Sequence, residues 1–203
     1  YKQDYSISNQ NLVTVYRSNG SVISIDLEEY VIGVLAAEMP ASFNIEDLKA
    51  QSVLARTYAL KAKQDGKILT DTVSTQSYID TNQMINKWGG DFDFYFNKIK
   101  NATLSTSGEY LTYNGNYIEA LYHSTNNGKT ESSLDVFGYY YPYLISVSSE
   151  FDKSASSYLR TINMDLDTIS SKLGINLNSD SPVEILSYTD GGNIKEINIG
   201  GNI

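Results

Sequence analysis

The chain has 203 residues, with 15 Lys plus Arg against 24 Asp plus Glu, a formal net charge of −9. Zero cysteines exclude disulfides, thiolate metal sites and a Cys nucleophile, and a single His excludes a multi-histidine metal site. The acidic balance, with only three Arg, argues against a nucleic-acid partner, and no apolar run approaches the roughly 18 residues that span a bilayer.

The elements can be taken in chain order. Residues 1–17 mix Asp, Ser, Asn and Tyr, which is no signal peptide, and Tyr1-Lys2-Gln3 is not a natural translation start, so the chain is expected to be trimmed from a longer one. Leu12 to Tyr16 and Val22 to Ile25 flank Ser18-Asn19-Gly20 and predict a hairpin. A helix is expected over 26–38. Asp26 suits its N-cap and Glu28 and Glu29 its first turn, while Pro40 ends it. Leu27, Val31, Val34, Leu35 and Glu38 fall on one face of that helix. A second helix is expected over 45–64, capped by Asn44 and stopped at Gly66. Leu48, Ala55, Ala59 and Ala62 give it a small-residue face, and Lys49, Arg56 and Lys63 recur every seven residues on another side.

Residues 70–100 are polar and irregular and read as a long loop with one short helix. Glu109 to Tyr113, Asn114-Gly115 and Asn116 to Tyr122 make a second hairpin signal, followed by a polar Gly-containing loop from His123 to Thr130. Asp165 to Leu173, before Gly174, predicts a short helix, and Val183 to Tyr188 with Ile194 to Ile199 predict a third hairpin. The terminal Gly200-Gly201-Asn202-Ile203 reads as the middle of an element, so a further C-terminal segment is expected. The fold class expected is α+β: two packed helices against antiparallel hairpins with a cleft, in a domain over 1–150, plus a smaller β-rich lobe over 151–203.

Three groups have chemical potential. Glu38 ends an apolar helical run; a carboxyl desolvated there favours its protonated form, which is what a general acid needs. The bland alternative is a last-turn Glu turned to solvent. Lys49 and Arg56 share a helix face and suit an anionic substrate, or else form a solvated basic stripe. His123 and Ser124 are adjacent on a strand end and so point to opposite faces, a poor nucleophile–base pair; no GxSxG elbow surrounds any Ser.

The same residues carry a resemblance. The runs from Ile25 to Val31, Ala36-Ala37-Glu38-Met39-Pro40 and Leu48 to Ala59 are similar to the SpoIID/LytB domain family. So are Thr75-Gln76-Ser77-Tyr78, Tyr122-His123-Ser124-Thr125, Gly128-Lys129-Thr130-Glu131 and Pro142-Tyr143-Leu144, in the family's order. The resemblance implies a peptidoglycan lytic transglycosylase that cleaves MurNAc-GlcNAc bonds of glycan strands lacking stem peptides, leaving 1,6-anhydroMurNAc ends, in sporulation cell-wall remodelling. It implies Glu38 as the catalytic acid, and Lys49, Gln51, Arg56, Gln76, Tyr78, His123, Ser124 and Thr130 as residues lining or supporting the substrate cleft. It also implies an extracytoplasmic location, a membrane anchor upstream and a cell-wall amidase as partner.

Some relatives bind zinc through Cys and His just before the Gln-x-Tyr motif. Here that stretch is Leu69 to Thr75, so no metal and no cofactor are expected. Two other readings stand beside this one. A non-catalytic glycan-binding module could enhance an amidase. A two-carboxylate hydrolase would need Asp47, Glu131 or Asp135 near Glu38, at about 5–5.5 Å for retention or 6.5–9.5 Å for inversion.

Overall fold

The computed structural model describes residues 11–155 and 158–203; most of the N-terminal stretch read for a signal peptide lies outside them. The chain is an α+β protein that divides into two compact units, with the break between Leu121 and Tyr122. The division expected near residue 150 therefore falls inside the second unit.

The first unit opens with β1 (Leu12–Tyr16) and β2 (Val22–Asp26), paired antiparallel in the register Leu12↔Asp26 to Tyr16↔Val22. Alternation puts Val13 and Val15 inward. A two-residue strand, β3 (Leu69–Thr70), joins the other edge of β1 in parallel, so the sheet is mixed rather than antiparallel throughout.

Helix α1 (Leu27–Glu38) starts where expected: the Asp26 carboxylate accepts from the amides of Glu28 and Glu29. The single apolar face read from its spacing understates its burial. Leu27 and every residue from Tyr30 to Ala36 are buried, which makes α1 the central helix of the unit. Helix α2 (Ile45–Gln64), capped by Asn44, lays Leu48, Ala55, Ala59 and Ala62 into the core. Burying Leu35 and Leu48 fully contributes roughly 1.5–3 kcal/mol each.

The stretch read as a long loop is mostly helical. It holds α3 (Thr81–Trp88), a 3-10 turn at Gly89–Asp91 and α4 (Phe92–Ser105). α4 packs on both α1 and α2 through Ile99, Ala102 and Thr103. Those residues, with Tyr95, Phe96 and Thr106, recur at helical spacing. The signal was present but masked by the polar positions between them. The second hairpin is much shorter than its sequence suggested: β4 (Thr112–Tyr113) and β5 (Asn116–Tyr117) turn at Asn114 and Gly115, both with positive φ.

The second unit has α5 (Ser133–Phe137), α6 (Leu166–Leu173) and the hairpin of β6 (Val183–Tyr188) and β7 (Ile194–Ile199). α6, capped by Asp165 and stopped at Gly174, and the hairpin match their expected positions. The buried positions among its described residues are Gly128, Ser132, Ser133 and Gly191, none of them a large apolar side chain. Polar ties hold it instead. The 190–193 turn wraps the Glu131 carboxylate, which accepts from the Thr189 hydroxyl at 2.8 Å, from the Gly191 amide at 3.3 Å and from the Asn193 side chain. Asp135 accepts from Lys195 Nζ at 2.8 Å and the Asp190 amide at 2.9 Å. Those two donors, the ammonium first, hold its pKa at about 2. Among the described residues, no helix is long and apolar enough to cross a membrane.

Candidate active site

Glu38 is the last residue of α1 and is half-buried. Its Oε1 accepts from the main-chain amide of Ser77 at 2.7 Å. The 71–80 segment that supplies this amide runs against α1 and is held by alternate residues. Gln76 and Tyr78 turn inward and are buried, and Ser77, between them, presents its N–H to the carboxylate.

The inward pair has named contacts. Tyr30 donates from its hydroxyl to Gln76 Oε1 at 3.4 Å. The Tyr78 ring stacks on Tyr30 with centroids 5.6 Å apart and planes 11° from parallel. Gly33 makes room for that ring. A Cβ at residue 33 would lie 2.2 Å from a Tyr78 ring carbon and 2.7 Å from the Ile79 carbonyl oxygen. Ile79 in turn donates its amide to the Gly33 carbonyl at 3.3 Å. The C-terminal end of α1 has no basic residue of its own; Lys87 of α3 supplies the cation, donating to the Ala36 carbonyl at 2.7 Å. The site is thus one carboxyl at a helix end, fixed through one oxygen by a main-chain donor on a clamped segment.

The other expected site residues fall into distinct settings. Arg56 is not a free cation facing a ligand. Its side chain is 1% exposed and pairs with Glu28 through two bonds of 2.8 and 2.6 Å. Its remaining donors go to the carbonyls of Glu109 (3.1 Å) and Thr103 (3.0 Å) and to the Thr106 hydroxyl. Glu28, read only as a first-turn acid, is its counter-ion, and Arg56 therefore joins α1 to α2, to the end of α4 and to residue 109. Gln76 and Tyr78 likewise support the site from within rather than line it.

Gln51 is 8% exposed, and its Nε2 is the buried side-chain polar atom left without a partner among the described residues. Lys49 is partly exposed and pairs with Glu46 at 2.7 Å, the solvated arrangement, so only one member of the basic pair faces water as a cation. Lys63, third in the spacing, donates to the Leu12 carbonyl at 2.8 Å.

In the second unit, His123 and Ser124 are exposed on the loop. His123 Nε2 lies 3.0 Å from Asn126 Nδ2, and the Ser124 hydroxyl 3.5 Å from that of Thr125. Thr130 is half-buried and bonded to the Ile145 carbonyl (3.2 Å) and the Val147 amide (2.9 Å). Glu131 and Asp135, candidates for a second carboxylate, are both engaged inside their own unit. No group of three or more His, Asp or Glu arranged to hold a metal ion occurs among the described residues.

Sequence reasoning missed Ser77, Glu28 and Lys87. Ser77 acts through its main chain, which no residue type announces. Gly33, a glycine inside an apolar helical run, was the one readable signal of a close approach at this place.

Comparison with known proteins gives the following similarities. The SpoIID family model, described as "Stage II sporulation protein", matches residues 16–113, which include Glu38 and the segment that holds it. "Stage II sporulation protein D" of Bacillus amyloliquefaciens is 39% identical over 199 residues, covering 93% of this chain and 58% of the relative. The protein of the same name from Bacillus subtilis (strain 168) is 38% identical with the same coverage. An "Amidase enhancer" of Bacillus subtilis is 38% identical over 136 residues, 67% of this chain and 17% of the relative. The chain spans 58% of the length of the two sporulation proteins it matches. By the match over residues 16–113 and the 38–39% identity along 93% of its length, the chain is similar to the SpoIID family.

Proposed function

We propose that this chain acts in sporulation cell-wall remodelling as a peptidoglycan lytic transglycosylase, with Glu38 as its single acid and base. The observation that carries the reading is the half-buried carboxyl at the end of α1, fixed through Oε1 by the Ser77 amide. In the reaction, Glu38 gives its proton to the glycosidic oxygen as the C1–O4 bond breaks. The resulting carboxylate takes the proton of the muramic acid 6-hydroxyl as that oxygen bonds to C1. The 1,6-anhydro ring closes, no water is consumed, and Glu38 recovers its proton. The nucleophile is part of the substrate, so it arrives positioned, and a second carboxylate is unnecessary. With Oε1 engaged by Ser77, Oε2 is the oxygen that would carry the proton.

Lys49, a partly exposed cation of α2, would meet the lactyl carboxylate that muramic acid bears once its peptide is gone. Arg56, Gln76, Tyr78 and Thr130 would act by holding backbone in place. The protein would work outside the cytoplasm, tethered by an upstream anchor, beside a cell-wall amidase. The relatives named for stage II sporulation support the cell-wall role. The relative named an amidase enhancer supports a second reading, a glycan-binding module that stimulates an amidase.

The test is digestion of glycan strands, with and without stem peptides, by this protein and by Glu38→Gln, with mass spectrometry of the products. Gln keeps an oxygen to accept from Ser77 but cannot transfer a proton. Anhydromuramic ends from peptide-free strands, lost in Glu38→Gln, are the expected result. Ordinary reducing ends would make the protein a hydrolase. Binding without cleavage would favour the amidase-enhancing module.

A further inference from the structure

Arg17 follows β1 and sits far from Glu38 in sequence, yet it fastens the segment that holds Glu38. Its side chain is 9% exposed. Nε donates to Asp71 Oδ2 at 2.8 Å, and Nη2 donates to Asp80 Oδ2 at 3.2 Å and to Gln83 Oε1 at 2.8 Å. The guanidinium carbon lies 5.1 Å from the centroid of the Tyr78 ring. Asp71 also accepts from the Ser18 amide at 2.8 Å, and its carbonyl accepts from the Tyr78 amide at 3.3 Å. One guanidinium therefore holds both ends of the 71–80 segment and contacts the Tyr78 ring two residues before its C-terminal end. Tyr30 and Gly33 of α1 hold the same ring from their side. Ser77, next to Tyr78, has its amide aimed at Glu38 by this clamp.

We infer that Arg17 is a positioning residue for Glu38, setting the Ser77 amide through Asp71, Asp80 and the Tyr78 ring. The inference deepens the transglycosylase reading and rests on it for its catalytic consequence. The geometry demands arginine. A planar fork reaches two carboxylates and an amide while lying beside a ring; a lysine ammonium reaches fewer of these and does not match their plane. Removing the cation leaves Asp71 and Asp80 without their shared counter-ion, and the segment shifts.

The experiment compares the wild-type chain with Arg17→Met and Arg17→Lys by two readouts. The first is the NMR shift of the Ser77 amide proton, downfield when it donates to a carboxylate. Glu38→Ala, which deletes the acceptor, calibrates the unbonded position. The second is kcat and KM on peptide-free glycan strands. Arg17→Met is expected to move the Ser77 amide to its position in Glu38→Ala. It should also lower kcat about 10²-fold, the scale of misplacing a reacting group by about an ångström, with KM little changed. Arg17→Lys is expected to fall between, and it decides the question alone if Arg17→Met does not fold. A Ser77 amide left at its wild-type shift in a variant that folds, or a change in KM alone, overturns the inference. If the wild-type chain cleaves nothing, the transglycosylase reading fails, while the Ser77 shift still decides whether Arg17 sets the amide that meets Glu38.

Discussion

Replacing Arg56 by methionine tests whether the basic residues of α2 form a solvated stripe or whether one of them is an internal tie. Methionine keeps most of the aliphatic stem, so the loss is confined to the guanidinium. That group makes two charge-assisted bonds to Glu28 and one to each of two carbonyls, in a site where the arginine side chain is 1% exposed and the glutamate side chain 19%. Breaking a buried pair by removing one partner costs about 3–5 kcal/mol. Glu28 retains an edge to water, which places the expected loss near the lower figure, about 3 kcal/mol. Trp88, the only tryptophan, packs on Phe92 and Tyr95 inside the first unit, so its fluorescence follows that unit's unfolding apart from the second. With a urea slope of about 3 kcal/mol per molar, the midpoint should fall by about 1 M. Adding Glu28→Met should recover most of the loss, because an apolar pair removes the stranded charge. A midpoint within about 0.2 M of wild type, equivalent to roughly 0.5 kcal/mol, would place Arg56 among ordinary surface cations and refute the argument.

Two further predictions concern packing and pH. Gly33→Ala should destabilise the first unit by about 3 kcal/mol, the upper end for overpacking, because its Cβ meets backbone at the Ile79 carbonyl as well as the Tyr78 ring. Trimming Tyr78 to alanine alongside it should not restore stability in the same urea assay; recovery would show that the ring alone set the limit. In the second unit, the folded pKa of Asp135 is depressed to about 2, so its contribution is present above its unfolded value of about 4 and is lost as pH falls between the two. Protection of the 190–195 amides, relative to their intrinsic exchange at each pH, should fall across that window in the wild type, and Asp135→Asn should already show the lower protection at pH 5. Equal protection in the two proteins at pH 5 would deny Asp135 that role.

The parts of this structure governed by neighbours in sequence were readable. Asp26 and Asn44 cap the helices they were expected to cap, α6 lies within the stretch expected for it, and the first and third hairpins lie where their turns put them. α4 was hidden because its buried positions Ile99, Ala102 and Thr103 are interleaved with polar residues that mask their helical spacing, while packing on α1 and α2 fixes it. The supports of the site were hidden for a different reason. Arg17 meets Asp71, Asp80 and Gln83 across 54, 63 and 66 positions, and Arg56 meets Glu28 across 28. Spacing along one helix gives Arg56 the appearance of a surface stripe with Lys49 and Lys63; only the fold, bringing Glu28 to it, turns the residue inward. Glu38 itself was legible, and Ser77 was not, because the atom that matters there is common to every residue but proline.

That last property shapes how substitutions at residue 77 would be felt. The donor to Glu38 belongs to the polymer backbone, so exchanging the half-exposed Ser77 side chain leaves it in place, whereas proline deletes it outright. Saturation mutagenesis would therefore portray residue 77 as dispensable in nearly every column while a single column carried the whole effect. The flanking residues would show the opposite profile, because Gln76 and Tyr78 hold that backbone by their side chains. Information about the placement of the carboxyl is thus stored beside the anchor and not at it.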